Sequence, residues 1–450
     1  MAQAANKRRE TPPQPKIDMS KYHTLLERDY VKRIGRVSQV VGLTIESVGP
    51  DVKVGSTCLI RKTKRDEGTL SQVVGFRENR ILLMPLGNMD GVSPGCIVEA
   101  LGKPLTVRVS DKLVGRVLDG LGRPMDGKGS IFEGEDWPTQ HHSPNPLTRS
   151  RITQVLSLGI KAIDGLLTIG KGQRVGIFAG SGVGKSTLMG MIARNTAAEV
   201  TIIALVGERG REVREFIERD LGEEGLSRSV LVVATSDQPA LIRIKAAEVA
   251  TTIAEYFRKQ GKDTILLMDS LTRYAMAQRE VGLAIGEPPV SRGYTPSVFA
   301  LMPKLLERAG TSHKGSITGM YTVLVDGDDM NEPVTDAARG ILDGHIVLNR
   351  SIANRNIYPA IDVLSSVSRV MPDVAPQEHM GLANSIKKSM AVYASAEDLI
   401  NIGAYVRGSN AEIDEAIDKH ASIEAFLQQA TFDKFTAGQA VDEMNQIFGE

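Results

Sequence analysis

Residues 173–195 read QRVGIFAGSGVGKSTLMGMIARN. QRVGIF is a short apolar run rich in β-formers, and STLMGMIARN has the composition of a helix, so the stretch predicts strand, loop, helix. The loop, Ala179-Gly-Ser-Gly-Val-Gly184-Lys185-Ser186, fits the phosphate-loop pattern except that Ala179 stands where the first glycine usually does. Its glycines let backbone N–H groups converge on phosphate oxygens, and the helix N-terminus adds positive dipole. Lys185 supplies a fixed cation for the β/γ-phosphates, and Ser186 offers a hydroxyl in the position that usually ligates Mg²⁺. The binding set is therefore Gly180, Ser181, Gly182, Val183, Gly184, Lys185, Ser186 and Thr187. The glycine spacing is not that of the dinucleotide fingerprint, so a nucleoside triphosphate is favoured over NAD.

Around this loop, buried strands alternate with amphipathic helices: TIIALV (201–206), SVLVVAT (229–235), TILLMD (264–269) and YTVLVD (321–326). That alternation predicts an α/β domain over 101–376 with a doubly wound, mainly parallel sheet. Residues 31–100 have another texture, short β-branched runs broken by Gly, Pro and Asn turns, and predict a small β-barrel or sandwich. Beyond Pro376 the strands stop, and SAEDLINIGAYV and IDEAIDKHASIEAFLQQ predict a helical domain over 377–450. Residues 1–18 are polar and basic, with too little apolar content to fold alone. Met19, Tyr22, Leu26 and Tyr30 share one helical face, which suits either a docking helix or a helix packed on its own domain. The first 30 residues are read as a flexible extension.

A chain of 450 residues suits about three domains at ~150 residues each. Hydrophobic residues make up 42% and charged ones 24%, an ordinary globular composition. Lys+Arg and Asp+Glu are both 54, so the global basic excess of a nucleic-acid binder is missing. Cys58 and Cys96 form no CxxC or Cys/His cluster, so neither a disulfide framework nor a zinc site is indicated, and a reducing cytoplasm fits. No apolar run reaches the ~18 residues of a membrane span, so membrane association is expected only peripherally, through partners.

Binding is not hydrolysis, which also needs a water-orienting group, a carboxylate near Mg²⁺ and an added cation. Asp269 ends the buried run TILLMD, where a Mg²⁺ carboxylate is commonly delivered, and Glu208 follows TIIALV at the same edge of the sheet. Glu212, Glu215 and Glu218 read as a solvated helix face. His141 and His142 lack further ligands nearby, so no metal is assigned to them. The glycine-rich run 115–129, GRVLDGLGRPMDGKG, reads as a structural turn.

Five segments in order, AGSGVGKS (179–186), GERGREVREF (207–216), DSLTRYAMAQREVGLAIGEPP (269–289), GYTPSVFALMPKLLERAG (293–310) and IYPAIDVLSSVSRV (357–370), resemble the catalytic subunits of rotary-type ATPases. More narrowly they resemble the export ATPases of flagellar type III secretion, with AMAQRE and GYTPSVF nearer the flagellar than the virulence branch. The resemblance runs from about residue 30 to the C-terminus and implies a barrel, a RecA-like domain and a helical domain. It implies Mg²⁺-dependent ATP hydrolysis in a homohexamer, with Glu208 orienting the water and Arg209 sensing the γ-phosphate. Arg369, in Ser366-Val-Ser-Arg369, would be the arginine finger reaching the adjacent subunit's nucleotide. Tyr358 would stack on adenine, and Phe426 and Phe432 would close the adenine pocket, although by composition alone they read as core. The implied partners are a stator-like regulator, a central-stalk protein, the membrane export gate and chaperone–substrate complexes, at the inner face of the cell membrane. Alternatives left open are a virulence secretion ATPase, a subunit of an ion-translocating ATP synthase, a nucleotide-held scaffold ring and an RNA translocase.

Overall fold

The computed structural model describes residues 32–448 apart from 64, 326 and 328. The N-terminal extension and its 19–30 helical face lie outside the described residues.

Strands β1 (Ile34–Val41), β2 (Thr44–Val48), β3 (Thr57–Arg61), β4 (Thr69–Arg77), β5 (Arg80–Pro85) and β6 (Ile97–Ala100) form a closed antiparallel barrel in the order β1-β2-β5-β4-β3-β6. Closure comes from β6 pairing back onto β1. Because strand side chains alternate, Val37, Ile45, Ile60, Val73, Leu83 and Val98 reach a common interior. Both cysteines are free and buried, and burial pushes the Cys58 thiol up to about 11, leaving it protonated and inert.

A ribbon of β7 (Thr106–Val109) with β9 (Glu135–Pro138) joins the barrel to the central domain. Between them, the run read as a turn contributes β8 (Val117–Asp119), which pairs in parallel with the edge of the main sheet. Three residues are too short to show a period in sequence. Arg116 clamps the following loop by donating to both oxygens of Asp126 at 2.6 and 2.9 Å.

The main sheet adds β10 (Arg174–Ala179), β11 (Val200–Val206), β12 (Ser229–Ala234), β13 (Asp263–Asp269), β14 (Gly310–Thr311), β15 (Ser316–Leu324), β16 (Gly344–Leu348) and β17 (Ile361–Ser368). Its order is β17-β16-β10-β15-β13-β11-β12-β8, with β14 against β15. Neighbours from β16 to β8 are parallel, whereas β17 is antiparallel to β16. Residues 321–324 of the run read from sequence end a longer strand that begins at Ser316. One core covers one face of the sheet with helices Ala240–Lys259, Leu271–Ile285 and Pro296–Leu306; a second covers the other with Lys161–Leu166 and Lys185–Asn195. Burial on both faces explains why β11 and β12 are buried at every position and mostly apolar rather than alternating.

Helices Gln377–Asn401, Ala411–Leu427 and Ala437–Phe448 form the C-terminal domain. It docks on Lys161–Leu166, where Phe426 and Met444 close over Gly165. Among the described residues no helix is long and apolar enough to cross a membrane.

Candidate active site

Strand β10 delivers Ala179 to the carboxyl edge of the sheet, and the chain turns there through Gly182 (φ 80°) and Gly184 (φ 90°) into helix Lys185–Asn195. Both glycines occupy the left-handed region, which a side chain at either position would strain. A cleft of about 360 Å³ opens above the loop, and Gly180, Ser181, Gly182, Gly184, Lys185, Ser186 and Thr187 line it. Val183 does not line it: its side chain is 2% exposed and anchors the loop in the core.

Three strand ends bring charge to this cleft. Lys185 forms a short ion pair with Asp269 at the end of β13, and its Nζ stands 3.6 Å from Glu208 Oε1, just past β11. The Thr322 hydroxyl of β15 donates to Asp269 Oδ1 at 2.7 Å. Burial opposes the charge on Lys185, but Asp269 and Glu208 more than offset it and hold its pKa above the ordinary lysine value. Glu208 is pushed up to about 7, first by burial and then by the negative charge of Asp269. The neighbouring Glu212 favours the protonated form of Glu208 by accepting its hydrogen bond.

Arg209 is largely exposed, lines the cleft and pairs with Glu212 at 3.0 Å. Two charged lining residues, Glu212 and Arg273, were not assigned to the site from sequence. Glu212 is not merely a solvated helix charge, because it touches Glu208. Arg273, inside helix Leu271–Ile285, lies over Gly207 and has a buried Nε without a hydrogen-bond partner among the described residues. The signal available for Arg273 was its place four residues after Asp269, one turn into the helix that follows that strand.

Tyr358 is 42% exposed, and a Cβ placed on Gly184 would lie 3.6 Å from its ring, so it stands beside the phosphate loop. Arg369 follows β17, is exposed, forms no ion pair among the described residues and does not line its own chain's cleft. The two phenylalanines part company. Phe432 is 71% exposed, with Arg194 5.1 Å over its ring. Phe426 is 3% exposed, packed at Gly165 with the Lys161 ammonium 5.6 Å from its ring centre. Phe426 is therefore a core residue with no free face for a base, which corrects the expectation of a paired aromatic closure. His141 also has a structural role, with Nδ1 2.9 Å from the Glu255 carboxylate.

The donor set suits a hard divalent cation. Ser186 lines the cleft beside the loop backbone, and the nearby side-chain donors are oxygens, including the buried Glu208 Oε1, which has no hydrogen-bond partner among the described residues. Among the described residues no three His, Cys, Asp or Glu side chains converge as an all-protein metal cage, so the phosphates and water would complete the coordination.

Comparison with known proteins agrees with this architecture. Residues 37–102 match the beta-barrel domain of the ATP synthase alpha/beta family, 159–368 its nucleotide-binding domain, and 375–446 the T3SS EscN ATPase C-terminal domain. The chain is 54% identical to the flagellum-specific ATP synthase of Bacillus subtilis (strain 168), covering 94% of this chain and 96% of that protein. It is 51% identical to the type 3 secretion system ATPase of Xanthomonas euvesicatoria, covering 91% and 93%. The assembled ATPase EscN from enteropathogenic E. coli superposes with a TM-score of 0.87 at 46% identity, covering 92% of this chain and 99% of EscN. The same ATPase in complex with its central stalk EscO gives 0.85. With the barrel, the phosphate-loop cleft and the three-helix end matched over nearly their whole length, the chain belongs to the ATP synthase alpha/beta family, within its flagellar and type III secretion ATPases.

Proposed function

We propose that this chain hydrolyses ATP in a homohexameric ring and couples turnover to flagellar protein export. The observation that carries the chemistry is the convergence of Lys185, Glu208 and Asp269 at the carboxyl edge of one sheet, over a phosphate loop. In the free protein, Lys185 is held by two carboxylates. An incoming triphosphate competes for that ammonium and draws it onto the β/γ-phosphates, freeing Glu208 to accept a hydrogen bond from water. With its carboxylate ionised, Glu208 aligns that water in line with the γ-phosphorus and the leaving oxygen. Asp269 stays fixed by Thr322, and Arg273 and Arg209 place positive charge where the transferred phosphoryl group spreads negative charge. Ser186 would ligate Mg²⁺, with Asp269 reaching it directly or through water; when bound, that ion neutralises charge on the phosphate oxygens.

The exposed Arg369, which forms no ion pair among the described residues, suits a finger that completes the site of an adjacent copy. EscN forms an assembly and binds a central stalk, and a stalk protein is accordingly assigned here as a partner. The stator-like regulator, membrane export gate and chaperone–substrate complexes are further partners in this reading, with the ring peripheral at the cytoplasmic membrane face.

The test separates binding from turnover. Glu208→Gln retains ATP binding and loses hydrolysis, and Arg369→Ala loses rate with the ring intact. Mixing these two impaired variants raises activity above either alone wherever an intact Glu208 faces an intact Arg369. Full turnover by Glu208→Gln refutes the water-orienting role, and failure of the mixture to recover activity refutes the shared site.

A further inference from the structure

The helical domain grips the loop that carries Tyr358. On one side, the Gln429 backbone N–H donates to the Tyr358 carbonyl at 2.9 Å. The Gln429 side chain is 6% exposed; it accepts from Lys161 N at 3.0 Å and donates to Gly159 O at 2.8 Å. On the other side, Arg355, three residues before Tyr358, pairs with Glu424 of helix Ala411–Leu427. Glu424 also lies 3.4 Å from His420 Nε2, and the His420 ring stacks on Tyr393 of helix Gln377–Asn401 with centroids 3.6 Å apart. Arg355 and Glu424 line a cavity of about 370 Å³ between the two domains, whose wall includes Ile357 and Pro359, the neighbours of Tyr358. Substitutions of this pair therefore meet open space rather than a close-packed core.

The residues that cradle phosphate are fixed differently. Gly180 to Thr187 are set mainly by β10 and by the start of helix Lys185–Asn195, inside the sheet domain, with one long bond from the Arg350 guanidinium to Ser181 O at 3.3 Å. The segment after Gln429 hydrogen-bonds that helix at its far end, where Arg194 donates to Thr431 O and Asn195 Nδ2 donates to Asp433 O at 3.0 Å. Displacing the helical domain thus pulls on the Tyr358 loop directly and reaches the phosphate cradle more weakly, through the exposed Arg350–Ser181 bond.

We propose that Arg355, Glu424 and Gln429 are positioning residues through which the helical domain sets the cleft's affinity for the base of the nucleotide independently of its affinity for the phosphates. The proposal rests on the reading of Tyr358 as the base-stacking residue. Stacking on one aromatic accounts for roughly a tenfold change in affinity, and a half-exposed ion pair that steers it for roughly threefold.

The experiment measures equilibrium binding of ATP and of inorganic tripolyphosphate, both with Mg²⁺, to the full chain. Tripolyphosphate engages the cradle without a base. Tyr358→Ala is expected to weaken ATP roughly tenfold and to leave tripolyphosphate unchanged. Arg355→Ala and Glu424→Ala are expected to weaken ATP roughly threefold, again sparing tripolyphosphate, and the exchange Arg355→Glu with Glu424→Arg to restore ATP binding. Suppose Tyr358→Ala has its effect but the pair variants leave ATP unchanged, weaken both ligands equally or are not rescued by the exchange. The positioning role is then overturned while the base-stacking reading stands. If Tyr358→Ala leaves ATP binding untouched, the base-stacking reading falls and the proposal with it.

Discussion

In the proposed mechanism, raising pH from 6 to 8 switches on Glu208 as the water-orienting carboxylate, and the size of the switch follows from its surroundings. Glu208 titrates at about 7 because burial and the adjacent Asp269 charge both disfavour its ionised form. The ionised form is the one that accepts a hydrogen bond from water, so activity rises with pH through this value. A single group at 7 is about 9% ionised at pH 6 and about 91% at pH 8, a roughly tenfold increase. The parameter to follow is kcat/KM, which reports the free enzyme, where Lys185, Asp269 and Glu208 sit as described. Protonation of the triphosphate falls in the same range, and Glu212→Ala separates the two. Removing the acceptor that favours protonated Glu208 moves the enzyme's midpoint to lower pH, whereas the ATP titration stays where it was. A profile flat from pH 6 to 8, or a midpoint that Glu212→Ala leaves unmoved, refutes the reasoning.

Three further predictions concern stability, read as the midpoint of the denaturant transition that unfolds the central domain. Arg308 and Glu255 are 3% and 6% exposed and joined by two bonds at 2.8 and 2.9 Å, so Arg308→Met strands a buried carboxylate and costs about 3–5 kcal/mol; a change under about 1 would show that His141 alone satisfies Glu255. Tyr321 is 1% exposed and its hydroxyl has no hydrogen-bond partner among the described residues, so Tyr321→Phe stabilises by about 1 kcal/mol, and a loss of stability would reveal a partner. A Cβ on Gly190 would lie 2.6 Å from the Asp220 carbonyl oxygen, so Gly190→Ala, despite alanine's advantage of about 1 kcal/mol in a helix, destabilises through a backbone clash; a gain in stability would mean that the 216–221 turn yields.

The strand, loop and helix around residues 173–195 were legible because the signal is local, with the glycines that take left-handed backbone and the helix start within a few residues, although Val183 turns into the core rather than the cleft. The five long strands were legible because burial on both faces leaves mostly apolar runs. Strand β8 was hidden by its three-residue length, and β16 and β17 by the polar residues that an outer, partly solvated pair accommodates. Among the carboxylates after β11, Glu215 and Glu218 are indeed helix-face charges, paired with Arg211 and Arg214 at i,i+4. Glu212 has the same spacing but points to the cleft, a distinction set by how the helix is rotated against the sheet. Arg273 carried only a positional signal, four residues after Asp269, and was passed over because one arginine in a helix has no periodic pattern of its own. The pair Phe426 and Phe432 shows the converse: a spacing of six residues carries no information about facing, and the end of a helix between them turns one ring inward and the other outward.

The central claim is that hydrolysis at this cleft drives export. The most direct measurement is the amount of flagellar protein reaching the medium from cells carrying Glu208→Gln at the native locus, with the protein at wild-type level. A sharp fall, with ATP binding by the purified variant retained, is the predicted result. Unchanged export alongside abolished hydrolysis would contradict the account.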